Sequence, residues 1–267
     1  MDKLDQRSKD LRTKVIKMLE VNKRGHIGSA MSLVEILRVL YDSYMQYDPK
    51  NQDSDDRDRL ILSKGHGCLS LYAILADKKF FEEEILSTYG NFESLLGGHP
   101  EKKIPGVEAC TGSLGHGLPI GTGLAMAFKI KKKNNKVIVI VGDGEINEGS
   151  NWEALLCASK HKLSNLILII DYNKMQSYSY TSEVVELEPL ADKFKSFNFN
   201  VYECDGHSIE NIENTLNKLN LEGEKPNVII SHTIKGKGIK LAENNPEWHH
   251  KSKISIEEFK HMYESLK

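Results

Sequence analysis

Two short apolar runs, Val137 to Val141 and Leu166 to Ile170, constrain the fold of this chain more than any other feature. Each is too short for a capped helix and rich in β-branched or aliphatic residues, so each predicts a strand buried on both faces. The residues between them predict a loop and then a helix, with Ser150 and Glu153 forming a capping box at its start. A strand, a helix and a second strand in this order predict neighbouring parallel strands.

Both runs end in residues suited to ligand binding. The first leads into Gly142-Asp143-Gly144, and Asn173 follows the second. Two glycines around an acid let the backbone turn tightly and approach a ligand at the carboxyl edge of the sheet, where such folds bind ligands. The oxygens of Asp143 and Asn173 suit magnesium or calcium, and magnesium completes its coordination with phosphate oxygens. The triplet by itself is equally compatible with any doubly wound domain.

The rest of the chain repeats the alternation of strands and helices. Further strands are predicted at Leu60–Ser63, Asn200–Cys204 and Val228–Ser231. Helices are predicted at about Lys3 to Asn22, Ser32–Tyr47, Cys68–Asp77, Phe80–Tyr89, Ile120–Ile130, Glu188 to about Phe197, Ile209–Leu219 after a Ser208 cap, and Ile256–Leu266. The pattern predicts an α/β fold with a doubly wound, mainly parallel sheet, helices on both faces, and one domain over residues 1–267.

Composition argues against several classes of protein. The 36 Lys and Arg residues balance 38 Asp and Glu, so no net positive charge attracts nucleic acid or an anionic membrane. Four scattered cysteines without CxxC spacing predict reduced thiols, not a disulfide framework or a zinc site. The N-terminus lacks the apolar core of a signal peptide, and no apolar run approaches the roughly 20 residues of a membrane span. We therefore expect a cytoplasmic protein with no membrane or nucleic-acid partner.

Four histidines lie in glycine-rich or loop segments. They are His26 in Gly-His-Ile-Gly, His66 in Ser-Lys-Gly-His, His99 in Gly-His-Pro-Glu, and His249 after Trp248. A single loop histidine is usually a surface residue. At a strand end that leads into a helix, however, an imidazole and backbone N–H groups can meet an anion together, and a histidine pKa near neutrality suits proton transfer.

Together with Asp143 and Asn173, these motifs resemble those of the transketolases, and they occur in the same order along the chain. The resemblance also covers Thr111 to Gly117 and the Thr-Ile-Lys-Gly-Lys-Gly segment that contains Lys235. It implies the thiamine diphosphate-binding fold. It further implies that Asp143, Asn173 and the backbone carbonyl of Met175 bind Mg²⁺, with Ca²⁺ or Mn²⁺ as alternative ions, and that the metal holds the diphosphate.

The resemblance assigns roles to further residues. His26, His99 and His249 would face the reacting sugar and serve as catalytic residues. The residues implied in cofactor binding are His66, Gly112, Ser113, Leu114, Gly142, Asp143, Gly144, Glu145, Glu148, Asn173, Lys235 and His249. The implied reaction is transfer of a two-carbon ketol unit between sugar phosphates, with the difficult chemistry supplied by the cofactor.

The family also has a pyrimidine-binding domain, whose glutamate activates the cofactor, and a C-terminal domain. Neither fits into 267 residues. The resemblance therefore implies the N-terminal subunit of a split enzyme, which works with a second subunit carrying both domains, as an α2β2 assembly. The small residues of the helix at Gly121 to Ala127 would allow close packing either on the protein's own sheet or across a subunit interface.

Other assignments remain open. Deoxyxylulose-phosphate synthase and the α chain of 2-oxo acid dehydrogenases are competing thiamine diphosphate enzymes, and a catalytically idle scaffold could keep the same fold. The continuous histidine and lysine motifs favour transketolase. The chain departs from the family pattern at Ser177 to Tyr180, which replaces an apolar-Asp-Gly turn, at His250, which replaces a glycine, and at His116, which replaces a glutamine. The first two departures leave the substrate open, and the two aromatic rings of Ser177 to Tyr180 predict a shift toward a modified sugar.

Overall fold

The computed structural model describes residues 4–267. Within them, five strands form one sheet in the order β1-β2-β3-β5-β4, and every pairing is parallel. This confirms the predicted fold class. The strands are β1 Arg59–Leu62, β2 Val137–Gly142, β3 Leu166–Tyr172, β4 Asn200–Asp205 and β5 Asn227–His232.

Helices connect the strands and cover both faces of the sheet. They are α1 Gln6–Asn22, α2 Ile27–Met31, α3 Val34–Val39, α4 Cys68–Asp77, α5 Gly117–Ile130, α6 Gly149–Lys160, α7 Thr181–Val184, α8 Leu190–Ser196, α9 Ile209–Leu216 and α10 Ile256–Ser265. Two predicted helices differ. The segment predicted at 32–47 forms α3 and a π-helical turn, and the one predicted at 80–89 is a 3-10 turn.

The strand residues divide between two hydrophobic clusters because neighbouring side chains point to opposite faces. In β2, Ile138 and Ile140 pack in the larger cluster, together with residues of α1, α3 and α4. Val137, Val139 and Val141 pack in the smaller cluster, together with residues of α5, α6 and α8. The central strands are fully buried, as their uninterrupted apolar sequences predict.

Helix starts test the capping predictions. Ser208 accepts a hydrogen bond from the Asn211 amide at 3.3 Å and caps α9, as predicted. The capping box at Ser150 is wrong: α6 starts at Gly149, two residues earlier than a cap at Ser150 predicts, and the Ser150 hydroxyl donates to the Gly115 carbonyl at 2.7 Å. The hydroxyl therefore makes a tertiary contact and does not cap the helix. The predicted start of the first helix, Lys3, lies outside the described residues.

The small residues of α5 lie on two faces of the helix, one packed on the sheet and one facing outward. A Cβ at Gly121 would lie 2.3 Å from Val139 Cγ2, so this glycine is required by the helix's own sheet. A Cβ at Gly123 would meet nothing within 4 Å. The outer face of α5 exposes Ile120 and Ile130, and α6 exposes Leu156 beside it. Close packing on the sheet therefore explains one glycine and leaves an apolar outer surface.

The cysteines carry free thiols, as predicted. Cys68 and Cys204 are buried, and burial raises the pKa of both thiols. Among residues 4–267, no helix combines the length and the apolar character that a membrane crossing requires.

Candidate active site

The loops that follow β2 and β3 leave the sheet side by side, because the strands pair Gly142 with Asp171. Asp143 and Asn173 are both buried there. Asp143 Oδ1 accepts from the Gly144 amide at 2.7 Å, whereas Oδ2 is buried without a hydrogen-bond partner. Leaving a buried carboxylate oxygen unpaired is costly. This oxygen is therefore suited to a cation bound at the loop.

The other two predicted metal ligands adjoin it. Asn173 Nδ2 donates to Asp171 Oδ2 at 3.2 Å, and Asn173 Oδ1 accepts from the Met175 amide at 3.2 Å. The Met175 carbonyl accepts from Lys235 Nζ at 2.8 Å. The structure thus brings Asn173, Met175 and Lys235 into one hydrogen-bonded group, in which a positive charge already meets the predicted carbonyl ligand.

A second carboxylate, Asp171, lies directly behind these groups and is fully buried. It pairs with Lys64 and accepts hydrogen bonds from Ser32 Oγ at 2.6 Å and from Thr233. Burial alone would raise the pKa of Asp171, but the Lys64 charge and these hydrogen bonds hold it below its usual value. Neither Lys64 nor Asp171 was predicted as a site residue, although Lys64 lies within the Ser-Lys-Gly-His motif and Asp171 two residues before Asn173.

Neighbouring charges and burial also change the acidity of Asp143 and Lys235. Burial, and next the charge of Asp171, raise the pKa of Asp143 to about 6. Burial lowers the pKa of Lys235 to about 8, and the Lys64 charge adds to this effect. The site therefore holds two carboxylates and two amines in a confined volume, where burial and like charges bring the pKa values of Asp143 and Lys235 closer to neutrality.

A cavity of about 430 Å³ opens above this group. Ten of the residues predicted for the site line it: His26, His66, His99, Gly112, Leu114, Gly142, Gly144, Glu145, Glu148 and His249. Asp143, Asn173, Met175 and Lys235 are buried and do not line it, while Ser113 is exposed. The structure thus brings motifs from across the chain to the carboxyl edge of the sheet.

The histidines form a cluster centred on His26. Its ring centroid lies 5.5 Å from those of His66 and His249 and 6.1 Å from that of His99. Burial, followed by nearby positive charges, lowers the pKa of His26 to about 4 and that of His249 to about 3. Both imidazoles are therefore neutral at pH 7. His249 Nδ1 is buried without a partner, so it is free to meet a ligand.

Two residues shape the cavity wall without contributing a free polar group. Gly112 has a φ of +137°, and a Cβ there would lie 2.8 Å from the His99 ring, so glycine is needed at this contact. The Glu145 carboxylate accepts hydrogen bonds from Ser63, from the Gly115 amide at 2.9 Å and from the Gly142 amide at 3.1 Å. Glu145, predicted to bind the cofactor, therefore also ties together the two loops that border the cavity.

Among the predicted departures, Ser177 borders the same cavity. Gln176, Ser177 and Val185 line it, and Gln176 Nε2 is buried without a partner. Sequence reasoning did not select Gln176, although it directly follows the predicted ligand Met175. Tyr178 is 86% exposed, and His250 lies 4.6 Å from His26 between ring centroids. A second cavity of about 690 Å³ reaches His26 and His99 and is also lined by His250.

Comparisons with known proteins agree with this geometry. Residues 5–266 match the family model "Transketolase, thiamine diphosphate binding domain". The chain is 45% identical over 253 residues to an apulose-4-phosphate transketolase subunit of Actinobacillus succinogenes, covering 94% of this chain and 91% of that protein. It is 41% identical over 220 residues to a 6-deoxy-6-sulfo-D-fructose transketolase subunit of Clostridium sp. strain MSTE9, covering 82% and 80%.

A solved structure extends the similarity to the fold. The transketolase of Campylobacter jejuni superimposes with a TM-score of 0.89 at 31% identity, over 98% of this chain. The match covers 42% of that protein, so this chain spans less than half of the length of the solved transketolase. The two subunit relatives, in contrast, are matched over most of their length.

Proposed function

The chain belongs to the transketolase family, whose thiamine diphosphate-binding domain it matches over almost its whole length, and we propose that it is the cofactor-binding subunit of a split transketolase-like enzyme. With Mg²⁺ and a second subunit it transfers a two-carbon ketol unit between sugar phosphates or modified sugars. The observation that carries this proposal is the set of buried, unpartnered polar atoms around one cavity: Asp143 Oδ2, Gln176 Nε2 and His249 Nδ1.

These atoms fit a metal diphosphate. Asp143 and Asn173 offer oxygen atoms, and the Met175 carbonyl is a third, which suits Mg²⁺ with phosphate oxygens in its remaining positions. Lys235, whose ammonium reaches the Met175 carbonyl, and His66, which lines the cavity, would donate hydrogen bonds to the diphosphate. When bound, thiamine diphosphate supplies the reactive carbon that takes up the two-carbon unit. Ca²⁺ or Mn²⁺ would suit the same oxygens.

The histidines of the cluster act on the sugar. His26 and His99 border both cavities, so they lie between the cofactor end and the open side of the site. A neutral imidazole offers one donor and one acceptor nitrogen, which suits hydrogen bonds to sugar hydroxyls and the movement of a proton at the substrate oxygen. His249 presents its unpartnered Nδ1 at the same point. The backbone of Gly112, Ser113 and Leu114 forms the wall for the rest of the cofactor.

A second polypeptide completes the site in this proposal. Ile120 and Ile130 of α5 and Leu156 of α6 are exposed apolar side chains, and α5 begins directly after the loop that holds Gly112. Apolar surface of this kind favours association. The relatives from A. succinogenes and Clostridium are named as subunits. We infer that the partner carries the pyrimidine-binding and C-terminal domains and that two such pairs form an α2β2 enzyme in the cytoplasm.

The partner requirement is tested by activity. Ketol transfer from a panel of ketose phosphates, in the presence of thiamine diphosphate and Mg²⁺, should be absent with the chain alone and should appear when a polypeptide with a pyrimidine-binding domain is added. The cofactor's reactive end would otherwise remain in water. Turnover by the chain alone would contradict the split-enzyme proposal.

Cofactor binding is tested by calorimetry. Titration of thiamine diphosphate into the protein should give binding that requires Mg²⁺ and disappears with a chelator. In Asp143→Ala the affinity for thiamine diphosphate with Mg²⁺ should fall at least about 100-fold, because loss of the carboxylate leaves the metal too few oxygen ligands. Asp192→Ala, at an exposed carboxylate of α8, is the matched control and should bind normally. A protein that folds but binds no cofactor would favour the idle scaffold instead.

A further inference from the structure

A buried ionic group lies outside the cavities described so far and has no part in the proposed function. It consists of Arg12 in α1, Glu35 in α3 and His207 after β4, and we call it the Arg12 cluster. The Arg12 and Glu35 side chains are 0% and 1% exposed. Arg12 Nη1 and Nη2 donate to the two carboxylate oxygens of Glu35 at 2.5 and 2.9 Å. His207 Nδ1 lies 2.9 Å from Glu35 Oε2.

The cluster makes two hydrogen bonds to the backbone of one loop. The Ile234 amide donates to His207 Nε2 at 2.8 Å. Arg12 Nε donates to the Lys237 carbonyl at 2.8 Å. These bonds lie on the two sides of Lys235, whose ammonium reaches the Met175 carbonyl in the candidate active site. The cluster therefore holds the main chain one residue before and two residues after this lysine.

The histidine bond fixes one protonation pattern. Because the Ile234 amide is a donor, His207 Nε2 must accept, and the ring proton must then lie on Nδ1. Nδ1–H in turn donates to Glu35. Burial would raise the pKa of Glu35, but Arg12 and the His207 hydrogen bond lower it to about 2. The carboxylate is thus charged at every pH at which the protein is expected to work.

The loop has little freedom to relax if these bonds are lost on one side only. Gly236 has a φ of +81°, and a Cβ there would lie 2.2 Å from the Ala242 carbonyl oxygen. The Gly236 amide donates to the Gly28 carbonyl at 3.0 Å. A buried ion pair is weak evidence for stability, since an apolar replacement often serves as well. The two hydrogen bonds that the Arg12 cluster makes to one loop indicate a role other than stability.

We propose that the Arg12 cluster is a positioning device that holds the loop from Ile234 to Gly238 so that Lys235 reaches the metal and diphosphate site. Arg12, Glu35 and His207 do not touch the cofactor; they act through the backbone on either side of Lys235. This inference rests on the proposed function for its second readout only. The first readout concerns the loop itself and needs no ligand.

Two substitutions of His207 separate its two bonds. In His207→Gln the amide reaches the place of Nε2, so an acceptor for the Ile234 amide is kept and the bond to Glu35 is lost. In His207→Asn the amide reaches the place of Nδ1, so the bond to Glu35 is kept and the loop bond is lost. Hydrogen exchange of the amides of residues 234 to 238, in cofactor-free protein, should speed up about tenfold in His207→Asn and stay near wild type in His207→Gln.

Cofactor affinity provides the second readout. His207→Asn should weaken Mg²⁺-dependent binding of thiamine diphosphate by about tenfold, and His207→Gln should weaken it much less. In a Lys235→Ala background, His207→Asn should cause no further loss, because the two changes act through one interaction. His232→Asn is the control: this histidine also lies at a strand end and pairs with a glutamate, Glu203 at 2.7 Å, but makes no bond to the loop.

Each outcome decides between the possibilities. Equal loop exchange in the Asn and Gln variants, or an undiminished effect of His207→Asn without Lys235, would overturn the positioning role and leave a structural one. Faster exchange in His207→Asn with no cofactor binding by the wild type would contradict the proposed function and uphold the loop contact. If His207→Asn does not fold, His207→Ala tests the same bond against His207→Gln, since it removes the acceptor for the Ile234 amide and leaves Arg12 paired with Glu35.

Discussion

Two groups of buried charges in this protein differ in how completely they are partnered. The Arg12 cluster satisfies both carboxylate oxygens of Glu35 and both ring nitrogens of His207 within the protein. The strand-end group, which we define as Lys64, Asp143, Asp171 and Lys235, is equally buried but leaves Asp143 Oδ2 without a partner. Burial therefore does not distinguish a ligand site from a structural network in this fold.

The difference has a physical origin. A buried polar network rigidifies its surroundings when every member is satisfied, and one unpaired member costs free energy until something binds to it. The Arg12 cluster leaves none of these atoms unpartnered, although Glu35 and His207 line a cavity of about 400 Å³. At the strand ends, the fold retains a carboxylate that its own hydrogen bonds do not satisfy, and it does so beside a cavity. Breaking one bond in each group should thus have opposite effects on the cofactor-free protein.

The largest effect on the free energy of unfolding is expected in the Arg12 cluster. Glu35→Ala leaves the Arg12 guanidinium buried without its counterion, which should lower the free energy of unfolding by about 3–5 kcal/mol. Urea denaturation of the cofactor-free protein measures this. Replacing both members, as in Arg12→Met with Glu35→Leu, should cost far less, because no unpaired charge remains. A loss of less than about 1 kcal/mol for Glu35→Ala, the size expected for an exposed ion pair, would remove the contrast.

In the strand-end group, a substitution should change the free energy of unfolding in the opposite direction. Asp143→Asn removes a buried charge and should stabilise the cofactor-free protein by about 1–3 kcal/mol at pH 8 while abolishing metal binding. The pKa of Asp143 is raised from 3.8 to about 6 by burial and by Asp171. A raised pKa means that wild-type stability from this group is present below pH 4 and lost as the pH rises through about 6.

The advantage of Asp143→Asn should therefore be absent near pH 4 and complete above pH 7. Thermal or urea unfolding across this range, with a chelator present, checks both the sign and the window. A variant that is less stable than the wild type at pH 8 would show that Asp143 is partnered in the cofactor-free protein after all.

A smaller effect is expected at the edge of the cavity, where one neutral hydrogen bond joins α6 to the neighbouring loop. Ser150→Ala removes the bond from the Ser150 hydroxyl to the Gly115 carbonyl. We expect a loss of about 1 kcal/mol in unfolding free energy, typical of a single hydrogen bond. Cofactor affinity should fall slightly as well, since Gly115 belongs to the loop of Gly112. If instead Ser150 acted as a helix cap, Ser150→Asp would restore stability, and we expect that it does not.

The two groups also differ in how far the sequence predicted them. Asp143 and Asn173 could be found because each follows an apolar run by one to three residues, a local signal that the parallel sheet then converts into proximity. Lys64 and Asp171 are separated by 107 residues, and His207 and Glu35 by 172. Pairs of this kind depend on which strands and helices become neighbours, which no local pattern specifies.

The strands were predicted more accurately than the helices for a related reason. Val137 to Val141 and Leu166 to Ile170 are uninterrupted apolar runs, and burial on both faces leaves them only one role. The capping box at Ser150 failed because a local motif competed with a tertiary acceptor, the Gly115 carbonyl, and lost. Gln176 was overlooked because its unpartnered amide is a property of the folded site and not of any spacing in the sequence.

The smallest effect on stability and a distinct effect on function are expected at Tyr178, which follows the cavity residue Ser177 in the chain. Its side chain is 86% exposed, so Tyr178→Ala should change the free energy of unfolding by less than about 0.5 kcal/mol. It belongs to the segment Ser177 to Tyr180, however, and Ser177 lines the cavity near His249. The assembled wild-type enzyme should prefer a modified sugar, and the variant should lose part of that preference in the ratio of kcat/KM values. If the wild type turned over xylulose 5-phosphate and ribose 5-phosphate as its best pair, the inference from this segment would be wrong. The comparison of the two groups of buried charges would be unaffected, because it depends on neither Tyr178 nor Tyr180.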